Sequence, residues 1–126
     1  MNKLKIMPFL VLILLFNFIS GTCNAQSMSV KELSKQMKNN KSLVILDVRT
    51  DEELVGPLGK IDNVVHIPID ELEKRIHELD QYRKNDIAVI CKTGVRSDRG
   101  AKILRKYGFK AKNISGGMVA YREKIK

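Results

Sequence analysis

The sequence predicts a single α/β domain: a parallel sheet of about five strands with helices on both faces. Short, nearly continuous apolar runs rich in branched residues are typical of strands buried on both faces. Amphipathic helical stripes lie between these runs, and strands that alternate with helices pair in parallel because the helices form the crossovers. The chain has 126 residues, 44% hydrophobic and 29% charged. This length and composition fit one folded domain and exclude wholesale disorder or a multi-span membrane protein.

The first part of the domain contains a helix, a strand and a second, brief helix. Ser29 and Glu32 have capping-box spacing, and an apolar helical stripe continues from there to Lys38. Residues 43–48 (LVILDV) are predicted to form a buried strand. Residues 51–54 start a brief helix that the following Gly-Pro pair ends.

The middle of the domain continues the alternation of strand and helix. Residues 64–67 form a weaker strand closed by Pro68. Asp70 is then expected to cap a helix whose apolar face extends to Leu79. Residues 87–91 (IAVIC) are a buried strand, the one we expect at the centre of the sheet.

The last part supplies one more helix–strand–helix sequence. Ser97 or Asp98 is expected to open a helix, and Gly108 is well placed as its C′ residue. Residues 109–114 give the last strand, and residues 115–117 (SGG) precede a terminal helix. The chain has no repeats and no low-complexity tracts.

The first 25 residues are predicted to be a cleaved signal peptide, and residues 26–126 the single domain. Two lysines precede an 11-residue apolar run, and small residues ending at Ala25 supply the cleavage region. Because a helix needs about 20 apolar residues to span a bilayer, an uncleaved anchor is the less favoured interpretation. Lipidation at Cys23 is also less favoured, since the residues before it match the lipoprotein pattern poorly.

Cleavage would place the domain in the periplasm or outside the cell. The net charge of the whole chain is +9; without residues 1–25, 21 basic and 14 acidic residues leave +7. Cys91 would then be the only cysteine, and an unpaired thiol in an oxidising compartment is a candidate reactive group. The spacing of cysteine and histidine fits no zinc site, so no metal is expected.

Cys91 stands at the carboxyl end of the predicted central strand, where open α/β sheets bind ligands. The residues that follow it are Lys92, Thr93, Gly94, Val95 and Arg96. Backbone N–H groups of such a loop and of the next helix form an anion site, to which Lys92 and Arg96 add positive charge. We expect these surroundings to lower the pKa of Cys91 and to hold an anion against its thiolate.

Three other interpretations of these residues are weaker. Cys91 taken alone would more often be a buried apolar side chain, but the basic loop and the export signal favour reactivity. A papain-like protease would need His66 or His77 as its base and would leave the basic loop unexplained. Nucleic-acid binding is suggested by a basic stretch of residues 102–112, but export and the lack of aromatic stacking platforms argue against it.

Several motifs together resemble one family, the single-domain rhodaneses, over residues 29–126. They are Leu46-Asp47-Val48-Arg49 with Glu53, Gly59-x-Ile61, His66-Ile67-Pro68, Cys91-x-x-Gly94-x-Arg96-Ser97, Gly108, and Gly116-Gly117-Met118. The resemblance is to the exported bacterial type, similar to the periplasmic phage-shock rhodanese. The sequence departs from the usual pattern at Lys60, Asn63 and Tyr121, which lie outside the cysteine loop.

The resemblance implies a sulfurtransferase, such as a thiosulfate sulfurtransferase, that needs no cofactor. A sulfane sulfur would pass from thiosulfate or a related persulfide donor to Cys91, and from its persulfide to cyanide or a thiol, for example on a thioredoxin-like protein. The loop of residues 92–96 would bind the donor, while Asp47, Arg49 and Glu53 would be structural. The resemblance implies neither a nucleic-acid partner nor stable membrane insertion after cleavage.

Two alternative functions remain open from the sequence. Cysteine phosphatases and arsenate-type enzymes also place Cys and Arg between a strand and a helix, but with five residues between them. Here four intervene between Cys91 and Arg96, which favours a smaller pocket for one sulfur. A persulfide carrier or docking module without small-molecule turnover is the other alternative.

Overall fold

The computed structural model describes residues 26–125, in which five strands form one parallel sheet in the order β1-β5-β4-β2-β3. The strands are β1 (Ser27–Met28), β2 (Val44–Asp47), β3 (Val65–His66), β4 (Asp86–Ile90) and β5 (Lys110–Ile114). The predicted fold class and the central place of β4 are confirmed. The predicted signal peptide lies outside the described residues. Among residues 26–125, no helix combines the length and the apolar character needed to cross a membrane.

Helices connect the strands and cover both faces of the sheet. They are α1 (Val30–Asn39), α2 (Asp51–Leu54), α3 (Ile69–Leu72), a 3₁₀ helix (Ile76–Tyr82), α4 (Val95–Lys106) and α5 (Gly117–Lys124). As expected, Ser29 caps α1, its hydroxyl accepting a hydrogen bond from the Glu32 N–H at 3.1 Å. α2 has a complete capping box between Thr50 and Glu53, which lets a helix of four residues form on the surface.

Neighbouring residues of the two central strands face opposite layers of the core. Leu46 of β2 lies beside Val89 of β4, and both pack in the layer that contains Leu104 of α4. Ile45, one residue earlier in β2, faces the other layer, which contains Met118 of α5. Both faces of these strands are therefore buried, which is why residues 44–46 and 87–90 are apolar without a gap.

Two helix boundaries differ from the sequence prediction. Asp70 does not cap the helix: α3 begins at Ile69 after Pro68, which gives no side-chain cap, and ends at Leu72. Arg75 then leaves helical geometry (φ −109°, ψ 15°), so a 3₁₀ helix carries the second half of the apolar stripe. Apolar residues three and four positions apart fit one continuous helix as well as two short ones, so periodicity alone did not show the break.

The helix after the cysteine loop also begins earlier than predicted. α4 starts at Val95 rather than at Ser97 or Asp98, because Gly94 takes a left-handed conformation (φ +105°) and serves as its N-cap. The Asp98 N–H then donates to the Gly94 carbonyl at 3.1 Å, closing the first turn. Arg96 consequently belongs to the helix and not to the loop.

Candidate active site

The sulfur of Cys91 lies just beyond the carboxyl end of the central strand β4, and the residue is 1% exposed. The backbone N–H of Gly94 donates a hydrogen bond to Sγ at 3.1 Å. The hydroxyl of Ser97, in the first turn of α4, lies 3.2 Å from Sγ. Cys91 is a free cysteine, as the sequence indicated.

The pKa of Cys91 lies below its ordinary value. Burial raises this pKa, but hydrogen bonds that the thiolate form accepts from the Ser97 hydroxyl and from the backbone N–H groups of Ser97, Gly94 and Thr93 lower it by more. The direction agrees with the prediction. The cause differs in part: hydrogen bonds to the sulfur are the leading contributions that stabilise the thiolate, and the charge of Arg96 also attracts it.

The cysteine loop is held in shape by the start of α5. The Met118 N–H donates to the Cys91 carbonyl at 2.8 Å, and the Val119 N–H donates to the Lys92 carbonyl at 3.1 Å. Gly117 permits this approach, since a Cβ there would lie 2.5 Å from the Cys91 carbonyl oxygen. With these carbonyls turned toward α5, the N–H groups later in the loop are free to point at the sulfur.

Ser97 is connected to a third buried side chain, Asn113 of β5. The Ser97 hydroxyl donates a hydrogen bond to Asn113 Oδ1 at 2.6 Å. Ser97 is 0% exposed and Asn113 is 7% exposed. No sequence signal placed Asn113 at the site, because it lies in an ordinary strand pattern 16 residues after Ser97.

The comparisons with known proteins agree with this geometry. Residues 29–124 match the family model described as a rhodanese-like domain. The chain belongs to the rhodanese family. A solved rhodanese-related protein from Thermoplasma volcanium superimposes with a TM-score of 0.70 at 31% identity, over 79% of this chain and 92% of that one.

Two Bacillus subtilis relatives of this rhodanese are similar in sequence. YtwF, which is provisionally named a sulfurtransferase, is 33% identical over 104 residues. The alignment covers 79% of this chain and 97% of YtwF. YrkF, which is provisionally named a sulfur carrier protein, is 40% identical over 91 residues. The alignment covers 71% of this chain and 47% of YrkF. Family and relatives together support sulfur transfer as the general function.

In this rhodanese an ion pair also joins the first turn of α4 to α2. The two terminal nitrogens of Arg96 donate to the two carboxylate oxygens of Glu53 at 2.6 and 2.8 Å. The pKa of Glu53 falls from 4.5 to about 2, chiefly because of the Arg96 hydrogen bond; burial opposes the fall, and the Thr50 N–H adds to it. Sequence reasoning treated Glu53 as structural and did not connect it with Arg96, since 43 residues separate them.

Asp47 and Arg49 form a buried ion pair, in keeping with the structural role that the resemblance implied. Arg49 Nη2 lies 2.8 Å from Asp47 Oδ2, and both side chains are essentially inaccessible to solvent. Arg49 also donates to the backbone carbonyls of Glu53 at 3.3 Å and Gly59 at 2.8 Å. The pair therefore fixes the segment that carries Glu53. His66 Nε2 lies 2.7 Å from the Arg49 carbonyl, so this histidine packs beside the pair.

The predicted donor-binding residues occupy different positions around the sulfur. Thr93 and Gly94 direct backbone N–H groups at Sγ, and Arg96 faces Glu53. Lys92 is exposed and Val95 is 77% exposed, and within residues 26–125 neither forms a hydrogen bond with Sγ. The site offers a thiol of lowered pKa among neutral hydrogen-bond donors, with cationic groups at its rim.

Proposed function

We propose that this protein is a sulfurtransferase that carries a sulfane sulfur as a persulfide on Cys91. The donor would be thiosulfate or a related persulfide, and the acceptor cyanide or a thiol. The observation that supports this most directly is the set of N–H and O–H donors around a buried Sγ of lowered pKa, because such a cradle stabilises an anionic sulfur.

In the first step the Cys91 thiolate attacks the outer sulfur of thiosulfate. A new S–S bond forms, and the bond between the outer and central sulfurs breaks, its electron pair leaving with sulfite. The charges balance, since a thiolate and a dianion give a persulfide anion and a dianion. The N–H groups of residues 92–96 would bind the anion and then the persulfide, as preorganised donors do for developing charge.

In the second step the acceptor removes the outer sulfur. Cyanide or a thiolate attacks the terminal sulfur of the persulfide, and the electron pair of the S–S bond returns to Cys91. Thiocyanate or a new persulfide leaves, and the starting thiolate is restored. No external oxidant or reductant is required.

Lys92 and Arg96 would attract and orient the anionic donor. Lys92 is exposed and can approach it as a mobile point charge. Arg96 has five N–H donors, and its contacts with Glu53 use two of them, so it can bind an oxyanion without leaving Glu53. The pocket would thereby favour a dianion such as thiosulfate.

We also propose export to the periplasm or the exterior, followed by removal of residues 1–25. The positive start, the apolar run and the small residues before Gln26 support this placement. N-terminal sequencing of the protein from fractionated cells tests it: Gln26 as the first residue is expected, and Met1 in the cytoplasmic fraction would contradict it.

A persulfide carrier that serves a partner protein is the second candidate. The 40% identity to YrkF favours it, although the chain spans only 47% of that relative. The chemistry at Cys91 would be the same, and only the acceptor would differ.

Intact mass spectrometry before and after addition of thiosulfate tests the proposal. We expect a gain of one sulfur atom that cyanide or a small thiol removes, and no gain in the Cys91→Ser variant. A persulfide that only a protein thiol removes would favour the carrier. A readily alkylated Cys91 that gains no sulfur from thiosulfate or from a persulfide donor would refute both.

A further inference from the structure

Three buried side chains form a line of hydrogen bonds from the reactive sulfur to β5. Cys91 Sγ lies 3.2 Å from Ser97 Oγ, and Ser97 Oγ lies 2.6 Å from Asn113 Oδ1. Their exposures are 1%, 0% and 7%. Of these three residues, only Cys91 and Ser97 belong to the cysteine-loop motif.

The single proton of the Ser97 hydroxyl decides which state of Cys91 this line fits. Asn113 Oδ1 can only accept, so with Oδ1 at 2.6 Å the Ser97 proton is directed to it, and Ser97 Oγ can then only accept from Cys91, as a neutral thiol requires. A thiolate has no proton to give, and Ser97 must turn its own toward the sulfur. The lone pairs of Ser97 Oγ would then face Asn113 Oδ1 at 2.6 Å. Both atoms would be hydrogen-bond acceptors, and they would repel each other.

A half-turn of the Asn113 amide removes this conflict. It exchanges Oδ1 for Nδ2, whose N–H donates to Ser97 Oγ, and the hydroxyl then donates to the sulfur. The backbone need not move: Asn113 pairs with Val89 of β4 and Ser27 of β1, and its N–H is bound to the Gln26 carbonyl at 3.0 Å.

We infer that Asn113 is a positioning residue that adapts Ser97 to both charge states of Cys91. Its amide presents Oδ1 to Ser97 beside the thiol, and Nδ2 beside the thiolate. The same donor arrangement would serve the anionic persulfide; that extension rests on the proposed sulfur transfer, whereas the thiolate part does not.

The other charged groups near Cys91 do not change when the Asn113 amide turns. Charged side chains on the strands, loop and helix around Cys91 include those of Asp47, Arg49, Lys92, Arg96, Asp98, Arg99 and Lys112. Asp47 and Arg49 neutralise each other, as do Arg96 and Glu53, and Asp98 pairs with Lys102 at 2.9 Å. Lys92, Arg99 and Lys112 are exposed. A change at Asn113 leaves all of them in place.

Alkylation of Cys91 by iodoacetamide as a function of pH tests the inference without any sulfur donor. Asn113→Asp keeps the shape, and its ionised carboxylate can only accept, so it holds the Ser97 proton away from the sulfur. We expect alkylation near neutral pH to slow by about tenfold and its midpoint to move to higher pH. Asn113→Leu, which removes the amide donor but competes for no proton, should slow it by a smaller factor.

Two comparisons separate the hydrogen-bond line from charge and from misfolding. Asn63→Asp, which adds the same charge at an exposed residue whose φ of +62° aspartate also adopts, should alkylate like the natural protein. In a Ser97→Ala background, Asn113→Asp should slow the alkylation of Cys91 much less than it does when Ser97 is present. An alkylation midpoint unchanged in both Asn113 variants, or a slowing equally strong without Ser97, would overturn the inference. Denaturation curves taken in parallel show whether each variant is folded at the pH values used.

Discussion

Replacing Gly117 by alanine should disturb the cysteine loop from the neighbouring helix. Gly117 is the first residue of α5 and has a φ of +57°. A Cβ at this position would lie 2.5 Å from the Cys91 carbonyl oxygen and 2.6 Å from the carbonyl carbon and oxygen of Lys92. All three are backbone atoms, so relief of the contact requires the loop itself to move.

The cost follows from two contributions. A left-handed conformation costs a residue with a Cβ about 1–2 kcal/mol. Separating the loop from α5 weakens the hydrogen bonds from the Met118 and Val119 N–H groups, at 2.8 and 3.1 Å, each worth about 1 kcal/mol. Gly117→Ala should therefore lower the free energy of unfolding by about 3–4 kcal/mol.

Gly108→Ala is a matched control for backbone strain alone. Gly108 also has a positive φ, +88°, but the nearest atom to its Cβ position is Arg83 Nη1 at 3.6 Å, the end of a flexible side chain. Only the conformational cost of about 1–2 kcal/mol applies there. Gly108 follows the far end of α4, away from the sulfur.

Urea denaturation and iodoacetamide alkylation measure the two consequences for both variants. Gly117→Ala should be less stable than Gly108→Ala by about 2 kcal/mol, the two hydrogen bonds. It should also alkylate more slowly near neutral pH, because the displaced loop no longer directs the Thr93 and Gly94 N–H groups at Sγ. Equal stability of the two variants together with an unchanged alkylation rate would refute this account of the loop.

Two further predictions concern the ion pairs that support the site. Arg49→Met leaves the Asp47 carboxylate buried without its cation and should cost about 3–5 kcal/mol in urea denaturation, whereas the exposed Arg99→Met should change little. Because the pKa of Glu53 is lowered from 4.5 to about 2, its stabilisation is present above pH 4.5 and is lost as the pH falls toward 2. Glu53→Gln should remove that part of the pH dependence of the urea midpoint, and Glu52→Gln should retain it; parallel curves for the two would contradict the assignment.

The sequence predicted well the strands whose apolar pattern has a single explanation, burial on both faces. Residues 44–46 of β2 and 87–90 of β4 are apolar without a gap because both faces of these strands are buried, and no other short element within residues 26–125 shares that pattern. β1 was not located, because two residues that pair with β5 at the sheet edge give no periodic signal. The break near Arg75 was missed because an apolar stripe is compatible with both one helix and two short ones.

The residues of the candidate site fall into two groups: some are close to Cys91 in sequence, and others are far from it in sequence. Cys91 and the loop after it are adjacent in sequence, so the position of a strand end and a helix start was enough to predict an anion cradle. The partners that tune this cradle come from elsewhere: Glu53 precedes Arg96 by 43 residues, and Asn113 follows Ser97 by 16. Only the packing of α2 and β5 against α4 brings them together, and a single sequence contains no measure of that packing.

The source of the low thiol pKa has a consequence for the proposed chemistry. A cation placed directly against Sγ would favour the thiolate, but it would also hold the departing sulfite. Here Glu53 engages the Arg96 guanidinium, the Gly94 N–H donates to the sulfur, and the neutral Ser97 hydroxyl lies 3.2 Å from it. Such donors stabilise an anionic sulfur at Cys91 in both the thiolate and the persulfide state. A cradle of this composition therefore suits a sulfur that must be accepted and released in turn, which is the requirement of a transferase.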